Sequence, residues 1–212
     1  MSAALAAVVV GGPGGPAGEV AAGLREQGAT VTELAPAPRA ELAEAMRELG
    51  VHLVVCALSP GDAASPTPLT EQDEASWDTR ACQPLRDAVA CFQAAGDVLT
   101  GAGTIVAVLP TLAMQGSSGF TAWSTAAEGL RSLVKVAARE YGARNITVNA
   151  VALPAALLAG SATSLDRPGL PAAKLAVPTT SPAEIIAALA APPWTAVTGA
   201  TIAVDGGVWM PA

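Results

Sequence analysis

The chain has 212 residues, of which 51 % are apolar, 14 % charged and 3 % aromatic, and it carries a net charge of −7. That composition suits one domain with a proper core and excludes a disordered chain. Without a basic stripe, nucleic acid is an unsuitable partner. In chain order, a β-branched strand is predicted over 7–10, followed by the glycine- and proline-rich turn Gly11–Pro16. A helix over 17–27 closes at Gly28, and a strand follows over 29–34. After the breaker Ala35-Pro36-Ala37-Pro38 comes a helix over 39–49 that ends at Gly50. A buried strand over 51–58 leads into a Pro/Ser/Gly loop, and a long helix lies within 73–99. A strand over 104–109, a loop over 110–119 and a helix over 121–141 come next. The remaining elements are a strand over 146–152, an irregular stretch over 153–180, a helix with Ser181 as N-cap and Pro182 at its first position, and a last strand over 200–204.

Strands that alternate with helices predict an α/β fold, a doubly wound parallel sheet in one domain over 1–212. Ligands of such sheets sit at the carboxyl ends of the strands. Segments 11–17, 55–60, 109–123 and 153–165 are therefore expected to line the site.

The apolar runs are broken by Gly and Pro before reaching the roughly 20 residues a membrane helix needs. Met1–Val10 has no positive region ahead of its apolar stretch. A cytoplasmic protein is expected, with Cys56, Cys82 and Cys91 as reduced thiols. His52 is the single histidine. It has no companion at metal-ligand spacing, so no metal is expected. The abundance of Ala, Gly and Pro fits a GC-rich bacterial source.

Several blocks carry a family likeness. They are the glycine-rich turn followed by Gly28-Ala29-Thr30-Val31, then Gly103-Thr104-Ile105-Val106, Ala126-Ala127-Glu128-Gly129-Leu130, Ile146-Thr147-Val148-Asn149-Ala150-Val151, and Thr198-Gly199 through Val204-Asp205-Gly206-Gly207. On these the chain resembles the short-chain dehydrogenase/reductase family, most closely its 3-oxoacyl-carrier-protein reductase branch. The resemblance implies a Rossmann-like fold. It also implies a tetrad of Asn, Ser, Tyr and Lys, in which Ser polarises a carbonyl, Tyr moves the proton, Lys lowers the Tyr pKa and holds the nicotinamide ribose, and Asn supports a water.

Carried over by spacing, the tetrad falls on Pro84, Pro110, Trp123 and Ala127. None of these can perform the chemistry. An indole N–H has no accessible proton-transfer pKa, and Ala and Pro side chains have no donor. Thr111 and Ser124 lie beside two of the lost positions, and Tyr141 is far along its helix. Pro84 is expected to kink its helix.

The family's Thr-Gly-x-x-x-Gly-x-Gly turn reads Val10-Gly11-Gly12-Pro13-Gly14-Gly15-Pro16-Ala17. Ala17 replaces a glycine, and Pro16 removes an N–H from a phosphate cradle. Gly11, Gly12, Gly15 and Ala17 are therefore read as a vestige of the cofactor motif. The ribose selector falls on Ala35 and Pro36, which hold nothing. Only one helix separates the second strand from the third, so about one α/β unit of the family is missing at the adenosine edge. This chain is not expected to bind a cofactor, and NAD(P) is expected in an active partner subunit.

In the family the two long middle helices, together with the last helix and strand, join subunits. Here Leu85, Val89, Phe92, Leu130, Val134, Trp209 and Met210 would supply that interface. The expected role is a non-catalytic subunit. It would pair with a catalytically complete family member as a heterodimer or heterotetramer, acting on a β-hydroxy/β-keto acyl thioester or a carrier-bound substrate. The alternatives are an atypical NAD(P)-dependent oxidoreductase and a ligand-binding or sensor protein that uses the old pocket.

Overall fold

Six strands form one parallel sheet in the order β2-β1-β3-β4-β5-β6. They are β1 Ala6–Val10, β2 Thr30–Leu34, β3 Leu53–Cys56, β4 Gly103–Pro110, β5 Ile146–Leu153 and β6 Thr201–Ala203. The computed structural model describes residues 4–11, 15–58, 64–159, 181–192, 194–207 and 209. The glycine-rich turn's Gly12 and the interface candidate Met210 lie outside them.

The strands read as continuous apolar runs because both faces of the sheet are covered. Their side chains alternate between two cores. Val8, Val10, Val54, Cys56, Ile105, Ala107, Val148 and Ala150 point to one core. Ala7, Val9, Leu53, Val55, Val106 and Val151 point to the other. The first core is covered by α2 Arg39–Leu49, α4 Gln83–Val98 and α6 Thr121–Tyr141. The second is covered by α1 Gly15–Glu26 and α8 Pro182–Leu189.

Local signals set the ends of these helices. Gly50 closes α2 at φ 58°, a left-handed conformation that glycine adopts without a steric penalty. The Ser181 hydroxyl accepts from the Ala183 N–H at the start of α8. β2 is one edge strand and β6 the other; a single helix joins β2 to β3.

Three expectations are corrected. The long helix within 73–99 is three pieces: α3 Glu74–Trp77, a π-helical turn Asp78–Cys82, and α4. Pro84 has no N–H for the Arg80 carbonyl. The turn before it widens, and the Gln83 N–H reaches back five residues to the Asp78 carbonyl. The expected kink is thus a wider turn ahead of the proline.

The expected loop over 110–119 holds a short helix, α5 Thr111–Gln115, closed by Gly116 at φ 73°. The irregular stretch after 153 opens with another short helix, α7 Ala155–Ala159.

The third correction concerns the interface residues. Phe92, Leu130 and Val134 are 1 %, 6 % and 0 % exposed and belong to the chain's own core. The helical stripe they define faces the sheet, which the 3.6-residue period alone does not distinguish from a partner. Leu85 and Val89 are half-buried, as is Trp209. Val136, on the outer side of α6, is 48 % exposed.

Candidate functional site

The ends of β3 and β4, the start of α4 and the first turns of α6 meet around one hollow. Pro84, Pro110, Trp123 and Ala127 all line it, with Leu58, Val108, Leu109, Ala126, Leu130 and Arg80. Four residues spread over 44 positions of sequence (84 to 127) are therefore brought to one place. The hollow lies at the carboxyl ends of parallel strands, where the strand pattern put the site.

Its volume is about 40 Å³. A pocket that encloses a drug-sized ligand has roughly 300–1,000 Å³. Trp123 is 6 % exposed and meets Phe120 edge-on, with ring centroids 6.3 Å apart. The indole thus fills space and closes one wall.

Among the lining residues only Trp123 and Arg80 carry polar side-chain groups. An indole N–H donates and does not titrate, and a guanidinium stays charged. No group in the lining can give or take a proton near neutral pH. The arrangement can pack an apolar body and bind an anion or a carbonyl oxygen. Arg80 was not singled out by the sequence pattern. Its only advance signal is that it stands four residues before Pro84, on the same side of a helix.

The neighbouring hydroxyls are placed as follows. Thr111 is buried and donates to the Leu153 carbonyl at 3.3 Å, which ties α5 to the end of β5. The Ser124 hydroxyl is buried with no hydrogen-bond partner among the described residues and does not line the hollow. Tyr141 stands at the far end of α6, where its hydroxyl donates to the Phe92 carbonyl at 3.2 Å. Burial is the main cause that raises the Tyr141 pKa above its ordinary value. Tyr141 is a packing residue.

Two family-like blocks also have structural work. Asn149 is fully buried; its amide donates to the Val197 carbonyl at 2.8 Å and its oxygen accepts from the Ala200 N–H at 3.1 Å. Asp205 accepts from the N–H groups of Gly207 and Trp209 at 3.0 and 2.8 Å. The Asn149 bonds tie the segment before β6 to β5, and the Asp205 bonds close the turn after β6 on itself.

The turn after β1 is where the family holds a dinucleotide. A Cβ on Gly11 would stand 2.1 Å from the Ala57 oxygen and 2.9 Å from the Ala17 Cβ. Gly11 is thus required by close backbone packing, whatever else it does. Its N–H is already donated to the Leu34 carbonyl at 3.0 Å. Gly15 takes φ 56°, Pro16 has no N–H, and Ala17 is fully buried. Among the described residues this turn does not offer the set of free N–H donors that a pyrophosphate needs.

Among the described residues no cluster of His, Cys, Asp or Glu could hold a metal ion. No helix among the described residues is long and apolar enough to cross a membrane. Cys56 and Cys91 are buried free thiols that face each other across the first core. The Cys56 contact, with burial added, pushes the Cys91 thiol well above its usual range. They are therefore inert thiols in the folded chain.

Comparison with known proteins decides the family. Residues 38–209 match the sequence model of a family described as enoyl-(acyl carrier protein) reductase. The cis-4-hydroxycyclohexanecarboxylate dehydrogenase of Sinomonas cyclohexanicum is 35 % identical over 95 % of this chain and 86 % of its own length. The chain belongs to the short-chain dehydrogenase/reductase family.

A short-chain dehydrogenase/reductase of Pyricularia oryzae is 34 % identical over 85 residues, 40 % of this chain; the match spans about a third (32 %) of its length. The fold of the short-chain dehydrogenase/reductase from Serratia marcescens superposes with a TM-score of 0.72 at 22 % identity, over 96 % of this chain and 97 % of that one. A blue fluorescent protein from a metagenomic library, solved in complex with NADPH, superposes at 0.70 with 22 % identity and the same coverage. The single-domain, six-stranded parallel sheet is thus the family's Rossmann-like fold.

Proposed function

We propose that this chain is a non-catalytic member of its family. It assembles with a catalytically complete short-chain dehydrogenase/reductase as a heterodimer or heterotetramer and stabilises that subunit. One observation carries the reading: Pro84, Pro110, Trp123 and Ala127 converge on a single hollow whose lining contains no acid or base. A ketone held there would have no proton source: the one charged group in the lining, Arg80, stays protonated and has no acid beside it in the lining to poise.

The NAD(P) belongs to the partner in this reading, in keeping with the poor donor set of Gly11, Pro16 and Ala17, the described part of the turn after β1. The half-buried Leu85 and Val89, with the exposed Val136, supply apolar surface on α4 and α6 for association. The partner's substrate is a β-hydroxy/β-keto acyl thioester or a carrier-bound acyl group. The family likeness and the description of the matching model support this, by analogy of fold and branch alone.

The test has two arms. Purified alone, the chain shows no NADH or NADPH binding at micromolar concentration and no turnover of keto acyl thioesters. Co-expressed with short-chain dehydrogenase/reductase genes from its own genome, it co-purifies with one of them at fixed stoichiometry. The relative from Sinomonas cyclohexanicum is named a dehydrogenase, which keeps an atypical NAD(P)-dependent oxidoreductase as the competing reading. Turnover by the chain alone would establish that reading and end this one.

A further inference from the structure

Among the described residues the cation in the hollow has no anion. Arg80 sits on the π-helical turn Asp78–Cys82 and is half-buried against Pro84, Trp123 and Ala127. One of its N–H groups donates to the Thr67 hydroxyl at 3.0 Å. No carboxylate among the described residues stands within ion-pair distance of it; the arginine pairs are Arg25–Glu33, Arg39–Asp97, Arg86–Asp78 and Arg131–Glu128. Asp73 feels the Arg80 charge, but one of its oxygens is occupied in capping the Ser76 N–H at 2.7 Å.

A guanidinium that uses one of its five N–H groups, beside walls of Leu, Val, Pro and Trp, is a half-made recognition site. Its planar fork matches a carboxylate in two-point geometry. The apolar walls weaken competition from water and strengthen the pairing.

We infer that this hollow receives the carboxylate of a short apolar acid, with Arg80 as the anchor and Trp123 as the surface along which the acid's chain lies. At about 40 Å³ the enclosed space admits a carboxylate head, and the chain runs outward. The site requires no chemistry. It holds whether or not a partner subunit joins, so its test and that of the assembly are separate.

Isothermal titration calorimetry on the full chain decides it, with hexanoate, hexanamide and inorganic phosphate as probes. Hexanoate binds with a submillimolar Kd. Hexanamide lacks the charge and phosphate lacks the chain, so each binds at least about tenfold more weakly. Arg80→Gln weakens hexanoate by about tenfold or more, and Arg80→Lys by less. Thr67→Val changes the hexanoate Kd by less than about twofold. That separates an anchor for ligand from an arginine that only holds the 64–72 loop. Circular dichroism checks that Arg80→Gln is folded; if it is not, the comparison of hexanoate with hexanamide on the unaltered chain decides alone. Equal affinity for acid and amide, undiminished binding by folded Arg80→Gln, or no heat with hexanoate would each overturn the inference. Phosphate bound as tightly as hexanoate would also overturn it, in favour of a bare anion site.

Discussion

Gly11 and Ala57 are in backbone contact: a Cβ on Gly11 would lie 2.1 Å from the Ala57 carbonyl oxygen and 2.8 Å from its carbon. The contact joins the end of β1 to the end of β3, one residue before Leu58 of the hollow. Backbone cannot yield as a flexible side chain can. Gly11→Ala is therefore expected to destabilise the chain by about 3 kcal/mol, near the upper end of overpacking penalties. Urea denaturation checks it. An unchanged midpoint would show that the strand ends separate freely.

Lysine does not belong at position 127 in this chain. Ala127 is 5 % exposed, and the hollow beside it already holds the Arg80 charge with no acid. Ala127→Lys brings a second cation into an apolar wall, at a cost of about 3 kcal/mol. Adding Arg80→Gln to Ala127→Lys recovers part of the loss, because like charges no longer face each other. Stability of Ala127→Lys equal to the parent would mean that an unseen partner for the ammonium exists.

The Tyr141 hydroxyl makes a single hydrogen bond, to the Phe92 carbonyl, and Arg144 stacks over its ring at 4.9 Å. Tyr141→Phe keeps the stacking and loses the bond. A loss of about 1 kcal/mol is expected in thermal or urea unfolding. Unchanged stability in Tyr141→Phe would contradict the packing role.

The Arg39 guanidinium holds the Asp97 carboxyl below its usual range, first through two hydrogen bonds of 2.7 Å and then through its charge. A carboxyl whose pKa is lowered on folding adds stability above its unfolded pKa of about 3.9, and the contribution is lost as pH falls through the folded value. The difference in urea midpoint between the parent and Arg39→Gln is thus steady from neutral pH down to about pH 5 and closes below about pH 4. High salt shrinks it, since both groups face solvent. A difference that widens on acidification would reverse the assignment.

Thiol labelling reads the burial of the cysteines. Cys82 is half-buried, whereas Cys56 and Cys91 are fully buried. A maleimide reagent labels Cys82 first in the native chain, and the other two only once the chain opens. Mass spectrometry of partly labelled protein identifies the order. Early labelling of Cys91 would mean that α4 detaches from the sheet.

Most of the fold was legible because burial on both faces of a parallel sheet leaves unbroken apolar runs between helices. The ends at Gly50 and Ser181 could be read from single residues with fixed backbone or capping roles. α5 was missed because Thr111–Gln115 is too short to show a helical period. The π-helical turn was hidden because Pro84 signals a disturbance but not which residues absorb it. Phe92, Leu130 and Val134 were assigned to a partner because an apolar stripe has the same period whatever it packs against.

By itself the sequence determined the residue types: a proline, a proline, an indole and a methyl stand where the family likeness expects working groups. Of these spacings, that from Trp123 to Ala127 runs along one unbroken helix, while the counts to Pro84 and from Pro110 cross the π-helical turn and α5. Only the tertiary structure decided that the four meet in one small hollow and that Arg80 enters it from a different helical turn. Distance through space between separate elements depends on how the sheet and helices pack, and no local pattern encodes it.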